Sequence, residues 1–232
     1  MDTINARSLY EQGTDHQFAN SEVLLGPWTS FSLMTDPKHM AFVLSRYKFC
    51  AKMLTKYDGK KRNVIEVGCG DGFGLPILAD ISEHVWAVDW DQRLLDSIQK
   101  RLPFLKNVDY RHVDFNEQTC DFEGKVDSVI AIDVIEHIDP SGEDMFMQNI
   151  VKCITEKETG MMILGTPNIT AGEYASSQSK IQHINLKSIK TLYELMSKYF
   201  YNVFMFGMND EVVHTGYAPM CHYIWGIGVG VK

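Results

Sequence analysis

Short apolar runs alternate with amphipathic helical segments from residue 63 onward, and this alternation constrains the fold more than any other feature of the sequence. Runs typical of buried strands lie at residues 64–67, 85–88, 108–113, 126–132 and 161–164, and helical patterns lie between most of them, at residues 75–81, 92–102 and 143–154. Strands that are joined by helices pair in parallel through crossover connections. The sequence therefore predicts an α/β fold in which helices cover both faces of a mainly parallel sheet.

The C-terminal end of the sequence departs from this alternation. A helical pattern after Ser188 leads to a sixth strand at residues 203–206, and a final strand occupies residues 222–231. The connection between these two strands is too short for a crossover helix with its loops, so we expect an antiparallel pair. The sheet is predicted to be seven-stranded and mostly parallel, with an antiparallel last strand.

The N-terminal part of the chain contains one clear helical pattern. Asp36 is a favourable N-cap residue, Pro37 suits the first helical position, and apolar residues then recur at helical spacing as far as Leu54. This pattern predicts a helix of about 18 residues. Residues 1–34, which include Gly26-Pro27-Trp28, are predicted to form an irregular or short-helical arm.

Charge and hydropathy exclude several classes of protein. The 232 residues include 30 acidic and 22 basic side chains, a formal net charge of -8, whereas domains that bind nucleic acid are usually basic. We therefore expect no nucleic-acid partner. No run approaches the roughly 18 apolar residues of a membrane span, and the first ten residues lack a signal-peptide core. These features predict no membrane insertion and a cytoplasmic location. We expect the protein to be a monomer or a homodimer.

The cysteine pattern bears on disulfides and metals. Five cysteines are scattered along the chain without a C-x-x-C pair, so neither a disulfide framework nor a zinc knuckle is expected. No Cys or carboxylate stands at a recognised ligand spacing from the histidines, and we predict no metal site.

A glycine cluster follows the first predicted strand. The segment Glu66-Val67-Gly68-Cys69-Gly70-Asp71-Gly72-Phe73-Gly74 lies between that strand and its helix, where folds of this kind place a nucleotide pocket. Phe73 stands where a dinucleotide fingerprint requires its third glycine, so the loop fits G-x-G-x-G instead. An NAD-dependent oxidoreductase is disfavoured for this reason.

Acidic and aromatic residues follow the next two strands. Asp89 lies 21 residues after Gly68, where a carboxylate can accept hydrogen bonds from both hydroxyls of a ribose, and the adjacent Trp90 can pack on an adenine. Asp114 and Phe115 end the third strand and are placed to meet the adenine amino group and its other face. The strand ends therefore predict an adenosine site.

Residues 63–164 resemble a class I S-adenosylmethionine-dependent methyltransferase of the small-molecule branch. The glycine loop resembles the first motif of that family, Asp89 its ribose acid and Asp114 its adenine-side acid. The segment Ile132-Asp133-Val134-Ile135-Glu136-His137-Ile138 resembles its fourth-strand motif. The resemblance implies a Rossmann-like three-layer sandwich, S-adenosyl-L-methionine as cofactor and S-adenosyl-L-homocysteine as product.

The resemblance also implies a domain plan and a set of cofactor contacts. Residues 1–62 would form an N-terminal arm and helix capping the active site, and residues 63–232 the S-adenosylmethionine-binding methyltransferase domain, in one globular unit. Arg46 faces the cofactor carboxylate or is a solvated helix-face residue, and Trp28 closes over the cofactor or is a packing anchor. Glu66 and Asp71 would orient the cofactor ammonium group. The predicted cofactor-binding residues are Glu66, Gly68, Gly70, Asp71, Gly72, Asp89, Trp90, Asp114, Phe115, Asp133, Trp28 and Arg46.

Three residues are candidates for acid–base chemistry. Methyl transfer from a sulfonium needs alignment and exclusion of water, and a hydroxyl acceptor also needs a base, for which histidine is the usual choice near neutral pH. His137 follows the fourth strand beside Glu136, and it is either a base or a structural residue. His183 precedes a helix after a long connection, and it either caps that helix or points into the acceptor pocket.

The acceptor is predicted from the acidic surface and from the polar loops that bear His and Tyr residues. We expect a small polar metabolite, above all a sugar or nucleotide-sugar hydroxyl in bacterial surface-glycan (capsule or lipopolysaccharide) biosynthesis, by resemblance to compact enzymes of such pathways. An N- or O-methyltransferase of an amino-acid, phosphorylated or quinone-type metabolite is a second hypothesis. A non-catalytic methyltransferase-like binding module is a third, although Gly68, Gly70, Gly72 and Asp89 are all present.

Overall fold

Eight strands form one sheet within residues 5–18 and 22–232, the part of the chain that the computed structural model describes. The strands are β1 (Arg62–Val67), β2 (Ser82–Asp89), β3 (Val108–His112), β4 (Ser128–Ile132), β5 (Met161–Pro167), β6 (Phe200–Asn209), β7 (Val212–His214) and β8 (Tyr223–Val231). Their order in the sheet is β3-β2-β1-β4-β5-β8-β6-β7.

The α-helices of the described residues precede β1 or lie in the connections after β1, β2, β4 and β5, and the sequence did not predict the helix at residues 177–182. They are α1 (Ala6–Phe18), α2 (Pro27–Thr35), α3 (Pro37–Leu54), α4 (Leu75–Ile81), α5 (Gln92–Arg101), α6 (Glu143–Lys152), α7 (Ser177–Gln182) and α8 (Ile189–Ser197). The predicted helix of about 18 residues is α3, which has its proline at the first position. In the described part of the arm, α1 and α2 are short helices, so the short-helical alternative of the prediction is confirmed there.

The pairing of the strands confirms a mostly parallel sheet with antiparallel C-terminal strands. Strands β1 to β5 pair in parallel, and β8 runs antiparallel to both β5 and β6. The predicted count of seven strands is wrong by one, because part of the connection between β6 and β8 turns back and pairs with β6 as β7. Asp210, with φ at +49°, lies in the tight turn that makes this hairpin possible.

Alternate residues of the central strands pack against different helices. Val64 and Ile130 lie in a core with side chains of α3, α4 and α5, whereas Ile65 and Val129 lie in a core with side chains of α6 and α8. Successive residues of a strand point to opposite faces, so both faces of the sheet are apolar and both are covered. The predicted three-layer sandwich is confirmed.

The order of the strands places a crevice above β1 and β4. These neighbouring strands lie where the chain reverses its direction of travel across the sheet, and ligands of doubly wound folds bind at the carboxyl ends of the strands on either side of that point. Helices α2 and α3 pack against one another before β1 begins. Among the helices that the structure describes, none is both long enough and apolar enough for a membrane span.

Candidate active site

The glycine loop after β1 has the backbone shape that its sequence predicts. Gly68, Gly70 and Gly72 have φ values of +70°, +56° and +78°, in the left-handed region that side-chain-bearing residues rarely adopt. A Cβ atom on Gly70 would lie 2.9 Å from Cζ3 of Trp28. Trp28 therefore lies on the backbone of the loop, which places the arm over the predicted cofactor loop.

Asp89 joins the end of β2 to the glycine loop. Its Oδ2 accepts a hydrogen bond from the backbone N–H of Gly70 (3.0 Å), and its Oδ1 accepts one from the N–H of Asp91 (2.9 Å). Burial raises the pKa of Asp89, while these two N–H donors act in the opposite direction. The carboxylate is thus fixed at the loop, and each oxygen retains acceptor capacity for a ligand hydroxyl.

The aromatic residues predicted to pack on an adenine are placed differently from each other. Trp90 is largely exposed after β2, with an accessible face. Phe115 is buried in the core between the sheet and α6, and its carbonyl accepts a hydrogen bond from Asn149 Nδ2. Asp114 accepts hydrogen bonds from the backbone and side chain of Asn116. Contact of these residues with an adenine stays a prediction.

Asp71 caps the arm helix α2 from the glycine loop. Its carboxylate accepts hydrogen bonds from the backbone N–H of Thr29 (2.8 Å) and from the Thr29 hydroxyl (3.0 Å), and both residues are buried. The first N–H groups of a helix have no intrahelical partner, and a negative charge there is favourable. Asp71 therefore attaches α2 to the loop, and its contact with a cofactor ammonium group stays a prediction.

A cavity of about 220 Å³ lies between the arm and the glycine loop. Its lining includes Trp28, His39 and Tyr47 from the arm side, and Gly68 and Asp133 from the sheet side. Ligand pockets for small molecules usually measure about 300–1,000 Å³, so this cavity is smaller than a usual ligand pocket. A second groove, of about 410 Å³ between α3 and α4, contains none of the predicted site residues.

Glu66 is buried directly below the cavity. Its Oε1 accepts a hydrogen bond from the hydroxyl of Tyr47 (2.6 Å), a residue that lies on the apolar stripe of α3. Burial raises the pKa of Glu66 to about 8, and the hydrogen bond from Tyr47 opposes part of that rise. Burial therefore favours the protonated form of this carboxyl group.

Arg46 and Asp133 form a partly buried ion pair at the end of β4. The guanidinium group lies between the rings of Phe42 and Tyr223, 4.2 Å and 4.1 Å from their centroids, and its Nη1 contacts Oδ2 of Asp133. Arg46 is 5% exposed, so its interpretation as a solvated helix-face residue is wrong. Asp133 has a φ of +56°, an unusual conformation for a residue with a side chain, and such turns occur often at functional sites.

Glu136 follows in a short 3-10 helix (Ile135–His137) and is completely buried. Its Oε2 accepts a hydrogen bond from the hydroxyl of Thr166 on β5 (3.1 Å), while its Oε1 has no hydrogen-bond partner among the described residues. Burial, followed by the nearby charge of Asp133, raises the pKa of Glu136 to about 8.

His137 and His183 meet beside Glu136. Their ring centroids are 5.0 Å apart with an interplanar angle of 78°. The backbone N–H of Asn185 donates to the carbonyl of Glu136 (3.0 Å), which holds the long connection after β5 against the turn after β4. Burial and the neighbouring His137 lower the pKa of His183. The three candidate catalytic residues are therefore brought together.

Three further residues of the site were missed from the sequence. Thr29, Tyr47 and Thr166 hold Asp71, Glu66 and Glu136 respectively. Thr29 stands in the first turn of a helix, where its backbone N–H needs an acceptor outside the helix. Its place shortly after Pro27 could have indicated this from the sequence. No local signal identified Tyr47 or Thr166, because their partners lie on other elements.

The sequence of the central segment is similar to known methyltransferases. Residues 64–157 match the family described as "Methyltransferase domain". A probable S-adenosylmethionine-dependent methyltransferase of Mycolicibacterium smegmatis is 30% identical over 107 residues, which cover 46% of this chain and 38% of that protein. A similar protein of Mycobacterium tuberculosis is 28% identical over 107 residues, 46% of this chain and 36% of its own length. The chain thus spans well under half of the relatives that it matches.

The structure is also similar to solved methyltransferases. The methyltransferase domain of bacterial CtHen1 has a TM-score of 0.64 and 18% identity, over 82% of this chain and 99% of that one. The N-methyltransferase NodS from Bradyrhizobium japonicum, in complex with S-adenosyl-L-homocysteine, has a TM-score of 0.61 and 15% identity, over 94% of this chain and 97% of that one. At these identities the likeness shows the fold.

Proposed function

We propose that this chain is a class I S-adenosylmethionine-dependent methyltransferase and that it methylates a hydroxyl group of a small polar metabolite. The observation that carries the proposal is the meeting of His137, His183 and buried Glu136 at the turn after β4, which begins at the cavity-lining Asp133. A hydroxyl must lose its proton to accept a methyl group, and such a cluster is suited to that task.

Several features of this chain fit S-adenosylmethionine. The glycine loop presents backbone without side chains, and Asp89 retains acceptor capacity at the end of β2. The cofactor supplies a methyl group on a positively charged sulfur, which is transferred by in-line displacement. The arm residues Trp28 and Thr29 cover the loop, an arrangement that would exclude water from the reacting groups.

The position of the cluster supports its action on the acceptor. Asp133, which lines the cavity, is three residues before Glu136, and its charge also acts on His183. Burial and the neighbouring His137 lower the pKa of His183, which favours the neutral ring, whose unprotonated nitrogen can accept a proton. These residues favour a hydroxyl acceptor over a carboxylate or phosphate oxygen, which would need no activation.

We infer a sugar or nucleotide sugar as the acceptor class to test first, with surface-glycan biosynthesis as its context. The connection that carries His183 is rich in serine, and it exposes Tyr174, whose ring has a free face for a sugar. Some structural neighbours are named as RNA methyltransferases. The net charge of -8 argues against a polyanionic acceptor here.

A methyl-transfer screen tests the proposal. Labelled S-adenosylmethionine is incubated with the protein and with nucleotide sugars, amino acids, phosphorylated metabolites or RNA, and the labelled products are identified by mass spectrometry. Methyl ethers on a small hydroxylated compound are expected. Methyl label on an amine or on RNA alone would contradict the proposal.

Two variants connect the cluster to the reaction. His137→Ala and His183→Ala are each expected to lower kcat by about 100-fold or more, the range for loss of acid–base assistance, with S-adenosylhomocysteine affinity unchanged. His84→Ala, at the opposite end of β2, is the matched control. Unchanged kcat in both cluster variants would refute the role of these residues.

A further inference from the structure

The turn after β4 and the connection after β5 bring three metal-ligating side chains together. One ligand atom from each of Glu136, His137 and His183 lies within 4.8 Å of the other two. We propose that these side chains bind one divalent first-row transition metal ion, such as Zn²⁺ or Mn²⁺, at the turn after β4. This proposal departs from the sequence analysis, which predicted no metal site, because His183 reaches the site only through the fold.

Glu136 is prepared to serve as a ligand. Its side chain is completely buried, and its Oε1 has no hydrogen-bond partner within residues 5–18 and 22–232. A buried carboxylate oxygen without a partner is unfavourable, and a cation would satisfy it. The Thr166 hydroxyl donates to the other oxygen at 3.1 Å, which fixes the plane of the carboxylate. Ligating carboxylates are commonly oriented by such hydrogen bonds.

His137 is also oriented as a ligand. Its Nδ1 lies 3.1 Å from the carbonyl oxygen of Gln182. A carbonyl only accepts, so Nδ1 carries the hydrogen and Nε2 keeps a lone pair for a metal. This hydrogen bond to a backbone carbonyl is the usual support of a metal-bound imidazole. Gln182 immediately precedes His183, so the same contact draws both histidines to the site.

The donor set indicates the class of metal. Two imidazoles and one carboxylate suit Zn²⁺, Mn²⁺, Fe²⁺ or Co²⁺, whereas Mg²⁺ and Ca²⁺ prefer oxygen ligands. With metal–ligand bonds of about 2.0–2.2 Å, tetrahedral ligand atoms lie roughly 3.5 Å apart, so modest side-chain rotations would close the site. Three protein ligands leave at least one position open, as in catalytic rather than structural sites.

The role of the ion rests on the proposed function. The acceptor hydroxyl oxygen would take the open position, where a divalent cation lowers the pKa of a bound hydroxyl. The hydroxyl proton passes to water, the oxygen forms the new bond to the methyl carbon, and the electron pair of the broken carbon–sulfur bond remains on sulfur. His137 and His183 then act as ligands, and the ion takes the place of a histidine base.

Metal binding is measured on the untagged full chain after treatment with a chelator and dialysis. Co²⁺ is titrated and followed by its visible absorption, and Zn²⁺ and Mg²⁺ are titrated by calorimetry. We expect one Co²⁺ and one Zn²⁺ per chain, with Mg²⁺ binding far more weakly. His183→Gln, His137→Gln and Glu136→Gln should each weaken Co²⁺ binding by about tenfold or more. His84→Ala should leave it unchanged.

Two controls separate a metal site from a structural cluster. Thr166→Val keeps the shape of its side chain but removes the hydrogen bond to Glu136, and it should weaken Co²⁺ binding by roughly 10-fold. Binding of S-adenosylhomocysteine by each variant shows that the fold is intact. Failure of the parent protein to bind Co²⁺ at one per chain, or equal Co²⁺ affinity in the parent and all four variants, would overturn the metal site.

The outcome is distinguishable from failure of the proposed function. One-to-one Co²⁺ binding that depends on the three ligands, with methylation only of amines, keeps the metal site and overturns its role toward a hydroxyl. Methyl ether formation that continues at full rate in the chelator-treated protein retains the proposed function and overturns the metal.

Discussion

Replacement of Glu66 by Gln is expected to stabilise the protein at alkaline pH. Glu66 is 1% exposed below the glycine loop, and its pKa is raised from 4.5 to about 8 because burial penalises the charged form. The Tyr47 hydroxyl, at 2.6 Å from Oε1, offsets part of that penalty. Gln has nearly the same shape and has no proton to release.

The sign of the effect follows from the protons bound in each state. Between pH 4.5 and about 8, the folded chain keeps a proton on Glu66 that the unfolded chain has released. The stability that comes from this protonated Glu66 is therefore fully present below pH 4.5, and it is lost as the pH rises through the pKa that Glu66 has in the folded chain. At about 1.4 kcal/mol per pKa unit, the full loss amounts to roughly 3–5 kcal/mol.

Urea unfolding of the parent and of Glu66→Gln at several pH values measures this difference. The two free energies should be similar near pH 5, and the variant should become progressively more stable than the parent toward about pH 8.5. Glu136 also has a raised pKa, but both proteins contain Glu136, so its effect cancels in the difference between their free energies of unfolding. Glu83→Gln, at an exposed position, is the control. A difference between parent and variant that does not change with pH would show that the folded state does not raise the pKa of Glu66.

Two further predictions concern the arm. Asp71→Asn and Thr29→Val should each speed hydrogen exchange of the α2 amides. Because the two residues share buried charge-assisted hydrogen bonds, the double variant should show a coupling free energy of about 1–3 kcal/mol. Additive effects would show that the two residues act independently. Trp28→Ala should weaken S-adenosylhomocysteine binding by about 3- to 10-fold, since the ring lies on Gly70 at the cavity. Trp28→Phe should retain most of the affinity. Equal affinity in the parent and in both variants would show that Trp28 is not part of the binding site.

Features encoded by local pattern were predictable from the sequence. The helix α3, the glycine loop and the position of Asp89 after β2 follow from periodicity, capping residues and strand-to-helix turns, each of which depends on a few adjacent residues. The order of apolar runs was sufficient to predict the parallel part of the sheet, because crossover connections leave few alternatives.

Contacts between distant segments could not be predicted in this way. Thr29 and Asp71 are 42 residues apart, and His137 meets His183 only because the connection after β5 folds back on the turn after β4. Such pairs depend on how elements pack, and periodicity within one element carries no information about them. Strand β7 was missed for a similar reason, since its three residues pair with β6 and show little pattern of their own.

We expect Asp89 to hold the ribose of S-adenosylmethionine at the carboxyl end of β2. Calorimetric titration of S-adenosylhomocysteine into the parent, Asp89→Ala and the control Asp96→Ala tests it most directly. We expect one site per chain and a loss of about 1–3 kcal/mol of binding free energy in Asp89→Ala alone, the range for hydrogen bonds to a charged group. Equal affinity in all three proteins, or no binding to the parent, would contradict it.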